Sequence, residues 1–140
     1  MKSYACYDSV GRYVVAGVSE DDLAPSDIPD GCFVFYGDVS ITTQYHDIAT
    51  DTPTDKGEPP ENGYTFDYST KTWVPNIPYL EYKVKAQREQ LLLASDWTQI
   101  PNGPLTPTQQ TAWATYRQQL RDITSQSGYP TNVVWPTPPA

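Results

Sequence analysis

Basic residues, histidine and cysteine are all scarce in this chain, and each scarcity removes a class of function. Nine Lys and Arg face 17 Asp and Glu, leaving a formal charge of −8. Such a surface repels phosphate backbones, so nucleic acid is not an expected partner. The one histidine, His46, stands beside Asp47, and no elbow motif places a nucleophile within its reach. It reads as a structural residue. Cys6 and Cys32 form no CxxC pair and have no His/Cys cluster around them. They read as two small buried hydrophobes, since nothing indicates an oxidising compartment. The acids from Glu20 to Asp30 lack the D-x-D-x-D-G register and closing Glu of a calcium loop. No Gly-rich phosphate loop or dinucleotide fingerprint is present. Carboxylate pairs occur in any acidic chain, so their spacing carries no signal for glycoside hydrolysis. The expectation is therefore a protein without cofactor or metal, and not an enzyme.

Long apolar runs are missing too. Met1 to Tyr7 lacks the core of a signal peptide, and no stretch approaches the roughly 20 apolar residues of a membrane span. A chain made and folded in a cytoplasm is expected, with no membrane partner.

Aromatics and prolines are abundant instead. Aromatics make up 13% of the chain while hydrophobic residues in total reach only 38%. Tyr and Trp must therefore carry much of the burial, and each needs a partner for its OH or NH. Charge is unevenly placed. Residues 1–75 hold 13 acids and 4 bases, whereas residues 76–140 hold 4 acids and 5 bases. Short strand and turn patterns up to Pro75, and a helical period beyond Pro78, suggest a β-rich N-terminal domain over 1–75 and a helical domain over 76–140, and so an α+β fold.

In the first domain, short apolar runs alternate with turn signals. Tyr4–Tyr7 ends at Asp8-Ser9, Arg12–Val15 leads to Gly17, and Cys32–Tyr36 follows Asp30-Gly31. Ser19 to Ala24 reads as a short helix with Ser19 as N-cap. Asp51 to Gly63 reads as an exposed loop, being rich in Pro, Thr and acids. Tyr64–Tyr68 and Lys71–Val74 alternate around Ser69-Thr70, the pattern of a hairpin with facing aromatics. No internal repeat is evident.

From Tyr79 the period becomes helical. Leu80, Val84, Leu91 and Ala94 share one face; Tyr79, Tyr82, Ala86 and Leu93 share a second. Two apolar faces exceed what a surface helix needs. Either both halves of the chain pack on this helix, or one face awaits a partner. The second helix begins at Thr106, with Pro107 at its first position and Gln109 at its third, a capping box. Ala112, Trp113, Tyr116, Leu120 and Ile123 form its buried stripe. Arg117 and Arg121 flank that stripe, ion-paired or solvated. Gly128 and Pro130 stop the helix. The segment from Tyr129 to Pro136 is then extended, its prolines lowering the entropy lost on docking.

The ordered set Arg88-Glu89-Gln90-Leu91-Leu92-Leu93-Ala94-Ser95-Asp96-Trp97-Thr98-Gln99, Pro104-Leu105-Thr106 and Trp113 through Ile123 continues to Gln126, Gly128-Tyr129-Pro130, Val134-Trp135-Pro136 and Pro138-Pro139. It resembles the tail fibre assembly proteins and tail assembly chaperones of tailed bacteriophages over a little more than a third of the chain. The hairpin Phe66 to Val74 resembles the segment preceding the helices in that family. A family member usually has Phe where Tyr129 stands.

The resemblance implies a protein that binds the C-terminal end of a phage tail fibre and promotes its folding and trimerisation, without cofactor. Its site of action would be the host cytoplasm, with retention on the virion as a variant. The candidate partner-binding residues are Phe66, Tyr68, Trp73, Trp97, Arg117, Arg121, Tyr129 and Trp135, with residues 1–75 as the candidate fibre-contacting part. Two other roles stay open: a permanent subunit at the fibre or baseplate, and a glycan-binding module at the fibre tip.

Overall fold

An aspartate at each turn organises the N-terminal strands. In the computed structural model, which describes residues 1–140, β1 (Lys2–Tyr7) runs antiparallel to β2 (Tyr13–Ser19) and to β3 (Phe33–Tyr36), in the order β2-β1-β3. The β1–β2 turn closes on Asp8, whose Oδ1 accepts from the backbone N–H of Val10 and Arg12 at 3.0 Å. Gly11 completes it at φ +83°, where a Cβ would lie 2.1 Å from the His46 carbonyl oxygen. Only glycine fits that approach.

Two further hairpins follow, β4 (Gln44–Asp47) with β5 (Thr52–Asp55), and β6 (Tyr64–Asp67) with β7 (Thr72–Pro75). Their turns are the same device, displaced by 20 positions from Asp47 to Asp67. Asp47 Oδ1 accepts from Ala49 N at 2.9 Å, and Asp67 Oδ1 from Ser69 N at 2.8 Å. The hydroxyl pairs Thr50–Thr52 and Thr70–Thr72 each meet at 2.8 Å. Asp51 and Lys71 take the left-handed conformation at φ 55° and 58°. The backbone N–H groups of Ser69 and Thr70 hold the Asp67 carboxyl below its usual range. A structural repeat is thus present where the sequence suggested none, because only the turn residues recur and the strands do not.

Two other expectations are corrected. Ser19–Ala24 forms no helix. Ser19 pairs with Lys2 in the sheet, Lys2 Nζ holds Asp22 at 2.8 Å, and Leu23 N donates to the Tyr36 hydroxyl at 2.8 Å. These long-range bonds outweigh a cap signal; one 3-10 turn appears only at Pro25–Asp27. Asp51–Gly63 is not all loop either, since Thr52–Asp55 pairs residue by residue with Gln44–Asp47. Pro53 is tolerated there because a two-stranded ladder has edges only.

The buried centre of this part is His46. It is fully buried, as are Ala5 and Cys6, with Tyr13 6% exposed. Its ring stacks on Tyr7 with centroids 3.8 Å apart. Nδ1 lies 3.1 Å from the Tyr13 hydroxyl and Nε2 2.8 Å from Asp51 Oδ1. Both ring nitrogens are occupied, as a structural histidine requires. Cys6 and Cys32 are free thiols, the first buried and the second half-buried.

The helical part starts with α1 (Ile77–Ala94), capped by Asn76, whose side chain accepts from Tyr79 N at 3.2 Å. α2 (Pro107–Arg121) opens on the expected capping box: Thr106 Oγ1 accepts from Gln109 N, and Gln109 Oε1 from Thr106 N. Leu120 and Ile123 are fully buried, and Tyr116 and Val84 nearly so. Ala112 is exposed, so the buried stripe is narrower than the helical wheel implies. α2 ends at Arg121 rather than near Gly128. A 3-10 turn at Asp122–Ser125 drives Ile123 into the core. The chain divides into two compact units, Met1–Val74 and Pro75–Ala140.

Leu120→Ala should cost about 2–5 kcal/mol, while Ala112→Gln should stay within about 0.5 kcal/mol, measured by urea unfolding. Burial pushes the Tyr13 hydroxyl up to about 12. The folded chain therefore keeps that proton to higher pH than the unfolded one. Stability from this group is complete below about pH 10 and falls as pH rises toward 12, by up to about 3 kcal/mol. Melts between pH 9 and 12 should slope less steeply for Tyr13→Phe.

Candidate functional site

Phe66, Tyr68 and Trp73 come together, as a half-buried cluster rather than an open platform. Phe66 lies 5.2 Å from Tyr68 and 5.4 Å from Trp73, edge to face in both cases, and 5.4 Å from Tyr45. Offset and T-shaped contacts suit the ring quadrupoles. Lys56, which sequence reasoning missed, holds the cluster. Its ammonium sits 5.0 Å from the Tyr68 ring and 5.8 Å from that of Phe66, and donates to Thr42 O at 3.0 Å. Trp73 Nε1 donates to Lys56 O at 3.0 Å. A cleft of about 440 Å³ opens beside it, lined by Thr42, Thr43, Asp55, Lys56, Glu58 and Trp73. No sequence signal marks Lys56, because its partners lie 10 to 17 residues away along the chain.

Arg117 does not lie on the shoulder of α2. It is 7% exposed and points into the helical seam. Nη1 donates to Leu92 O at 2.7 Å and to Ser95 Oγ at 2.8 Å, and Nη2 donates to Asp96 Oδ1 at 2.8 Å. These acceptors cluster at the C-terminal end of α1, where the helix dipole favours a cation. The Ser95–Gln99 turn is tied to the same end. Ser95 Oγ donates to Leu91 O, and Thr98 Oγ1 donates to Ser95 O at 2.6 Å. Trp97 stands edge-on to Trp113, centroids 5.8 Å apart, and remains 46% exposed. Most of the Ser95–Gln99 signature thus closes a helix end.

The other candidates separate. Arg121 is exposed, with only a 3.5 Å contact to Gln118 Oε1. Tyr129 and Trp135 are half-buried in the tail. Gln126 clips that tail: its amide nitrogen donates to Val134 O and its oxygen accepts from Val134 N, both at 2.8 Å. The Tyr129 hydroxyl is buried without a hydrogen-bond partner in the chain. The ring, rather than the hydroxyl, is what the position uses.

In the helical unit, exposed apolar side chains stand on the second face of α1. Tyr79 is 43% exposed, Tyr82 70% and Leu93 73%. A shallow groove of about 480 Å³ runs there, lined by Tyr82, Lys83, Ala86, Gln87, Gln90 and Leu91. The sequence marked this face by its period and left open that it awaits a partner, without naming its residues among the candidates. No helix is long and apolar enough to cross a membrane.

Residues 81–140 match the sequence model of a family described as phage tail assembly chaperone protein. That match coincides with the resemblance carried by Arg88 to Pro139 and leaves the N-terminal strands outside it. No curated protein and no solved structure matches the chain.

Arg117→Lys, which keeps the charge and loses the fork, should destabilise the helical unit by about 1.5–3 kcal/mol in urea unfolding. Tyr129→Phe should leave the melting temperature unchanged or slightly raised, since it removes a hydroxyl that pairs with nothing.

Proposed function

We propose that this chain is an assembly chaperone for a phage tail fibre, acting in the host cytoplasm on the fibre's C-terminal end. The observation that carries the reading is the match of residues 81–140 to phage tail assembly chaperones. It supports a binding role in tail assembly; the fibre and its trimerisation are the finer part of the proposal.

The physical case rests on what a fibre chain needs. A fibre folds as an intertwined trimer, so a single chain exposes apolar strands until its partners arrive. Non-local β pairing is slow and prone to aggregation. A partner that covers those strands reversibly suppresses wrong association. It needs no ATP, because trimer formation itself releases free energy. The exposed Tyr79, Tyr82 and Leu93 give α1 an apolar face of the kind such a partner requires. Their surface positions make them better candidates for the grip than Trp113 or Arg117, which the helical seam already occupies.

Co-expression with the neighbouring fibre gene, followed by size exclusion, tests the reading. Soluble fibre trimer should appear only when this chain is present. The double variant Tyr82→Asp/Leu93→Asp should lower trimer yield by about tenfold or more while its own melt is unchanged. Equal trimer yield with and without the chain would sink the proposal.

A further inference from the structure

We propose that β2 is a self-pairing edge, through which two copies of this chain join their three-stranded sheets into one continuous sheet. The inference goes beyond the chaperone reading and does not depend on it.

The sheet order β2-β1-β3 leaves β2 outermost. Its residues pair with β1 on one side, and no backbone bond joins Tyr13–Ser19 to any other segment. β4 meets β2 through Tyr13 and His46; beyond Tyr13 the N–H and C=O groups on the side away from β1 have no backbone partner. Edge strands are ordinarily blunted by charge, proline, brevity or a cover. The seven residues Tyr-Val-Val-Ala-Gly-Val-Ser contain no charge and no proline. Val14, Val15 and Val18 are 47%, 37% and 65% exposed. A bulge at Cys6/Tyr7 disturbs the ladder only near the Tyr13 end.

The ends of the strand decide the occupant. Arg12 precedes β2 and Glu20 follows it, each four residues from Ala16. An antiparallel two-fold pairing centred on Ala16 sets Val14 opposite Val18, and Arg12 opposite Glu20 of the second copy. Arg12 already holds Asp8 through Nε at 3.1 Å, so the pairing uses its Nη groups, and Asp22 is held by Lys2. Asp21 and Asp22 follow Glu20, while Val10, before Arg12, has its carbonyl capped by the Lys71 ammonium. The acidic end of one strand thus meets the basic end of the other, twice. A two-fold interface needs this self-complementarity, since residue i must suit j as j suits i. A strand from an unrelated partner has no reason to carry charges at these two distances.

Sedimentation of the full chain tests the idea. A concentration-dependent dimer is expected. Val14→Lys/Val18→Lys should weaken it about thirtyfold, because each change acts twice, with an unchanged melting temperature at these exposed sites. Glu20→Arg alone should also weaken the dimer, and in an Asp8→Asn background, which removes the charge beside Arg12 and keeps the turn's acceptor oxygen, adding Arg12→Glu should restore it. In a Cys32→Ser background, Ala16→Cys should form a cross-linked dimer on oxidation, since directly opposed Cα atoms lie about 4.5–5.5 Å apart. Ser19→Cys should not. A wild-type monomer at all concentrations overturns the proposal. So does a dimer indifferent to the lysines, or one that the charge exchange fails to restore. If the lysines spare the oligomeric state and abolish fibre rescue instead, the edge serves a fibre strand, and the second copy is ruled out.

Discussion

A buried guanidinium needs partners for its charge, and in the helical unit that requirement fixes the joint between α1 and α2, with both Nη atoms paired and Nε left without a partner. Arg117 reaches across the seam to Leu92 O, Ser95 Oγ and Asp96. The contact brings a charge from the middle of one helix to the C-terminal end of the other, onto Leu92 O, which also accepts from Ser95 N. It is a fork, so it sets direction as well as distance. Leu120 and Ile123 then fill the apolar part of the seam, and Trp97 closes on Trp113. Hydrophobic burial supplies most of the driving force; the arginine decides which arrangement of the two helices receives it.

This explains a division within the family resemblance. The segment that matches phage tail assembly chaperones is rich in residues whose work is internal. Arg117, Asp96, Thr98 and Tyr116 hold the helical pair together. Side chains free to meet another molecule, such as Tyr82 and Leu93, lie on the opposite face of α1. In unit Met1–Val74 the same division appears: His46, Tyr7 and Tyr13 are internal, while the β2 valines are exposed.

How much was legible in the sequence depended on the range of the interaction. The capping box at Thr106 was readable because its partners lie three residues apart. The hairpin at Phe66–Val74 was readable through its alternation and its aromatics. The hairpin at Gln44–Asp55 was hidden, since its strands are polar and one contains a proline. Ser19 offered a good cap signal and still went to the sheet, because Lys2, Asp22 and Tyr36 made long-range bonds that no local pattern displays. Arg117 was placed on a shoulder of the helical wheel. A wheel measures angle, and a long side chain can turn from the shoulder into the seam to reach a helix end. Of the candidate site, the sequence located Phe66, Tyr68 and Trp73 as a group but gave no hint of Lys56, which joins them.

The twin turns at Asp47 and Asp67 have a consequence for change over time. Each hairpin's reversal is specified within six residues by one carboxylate, two threonines and a left-handed position. Nothing in that specification refers to the outward-facing side chains of the strands. The outer face can therefore be rewritten, residue by residue, while the reversal stays put. The turns thus act as a grammar that stays fixed while the vocabulary of the strands is free to change.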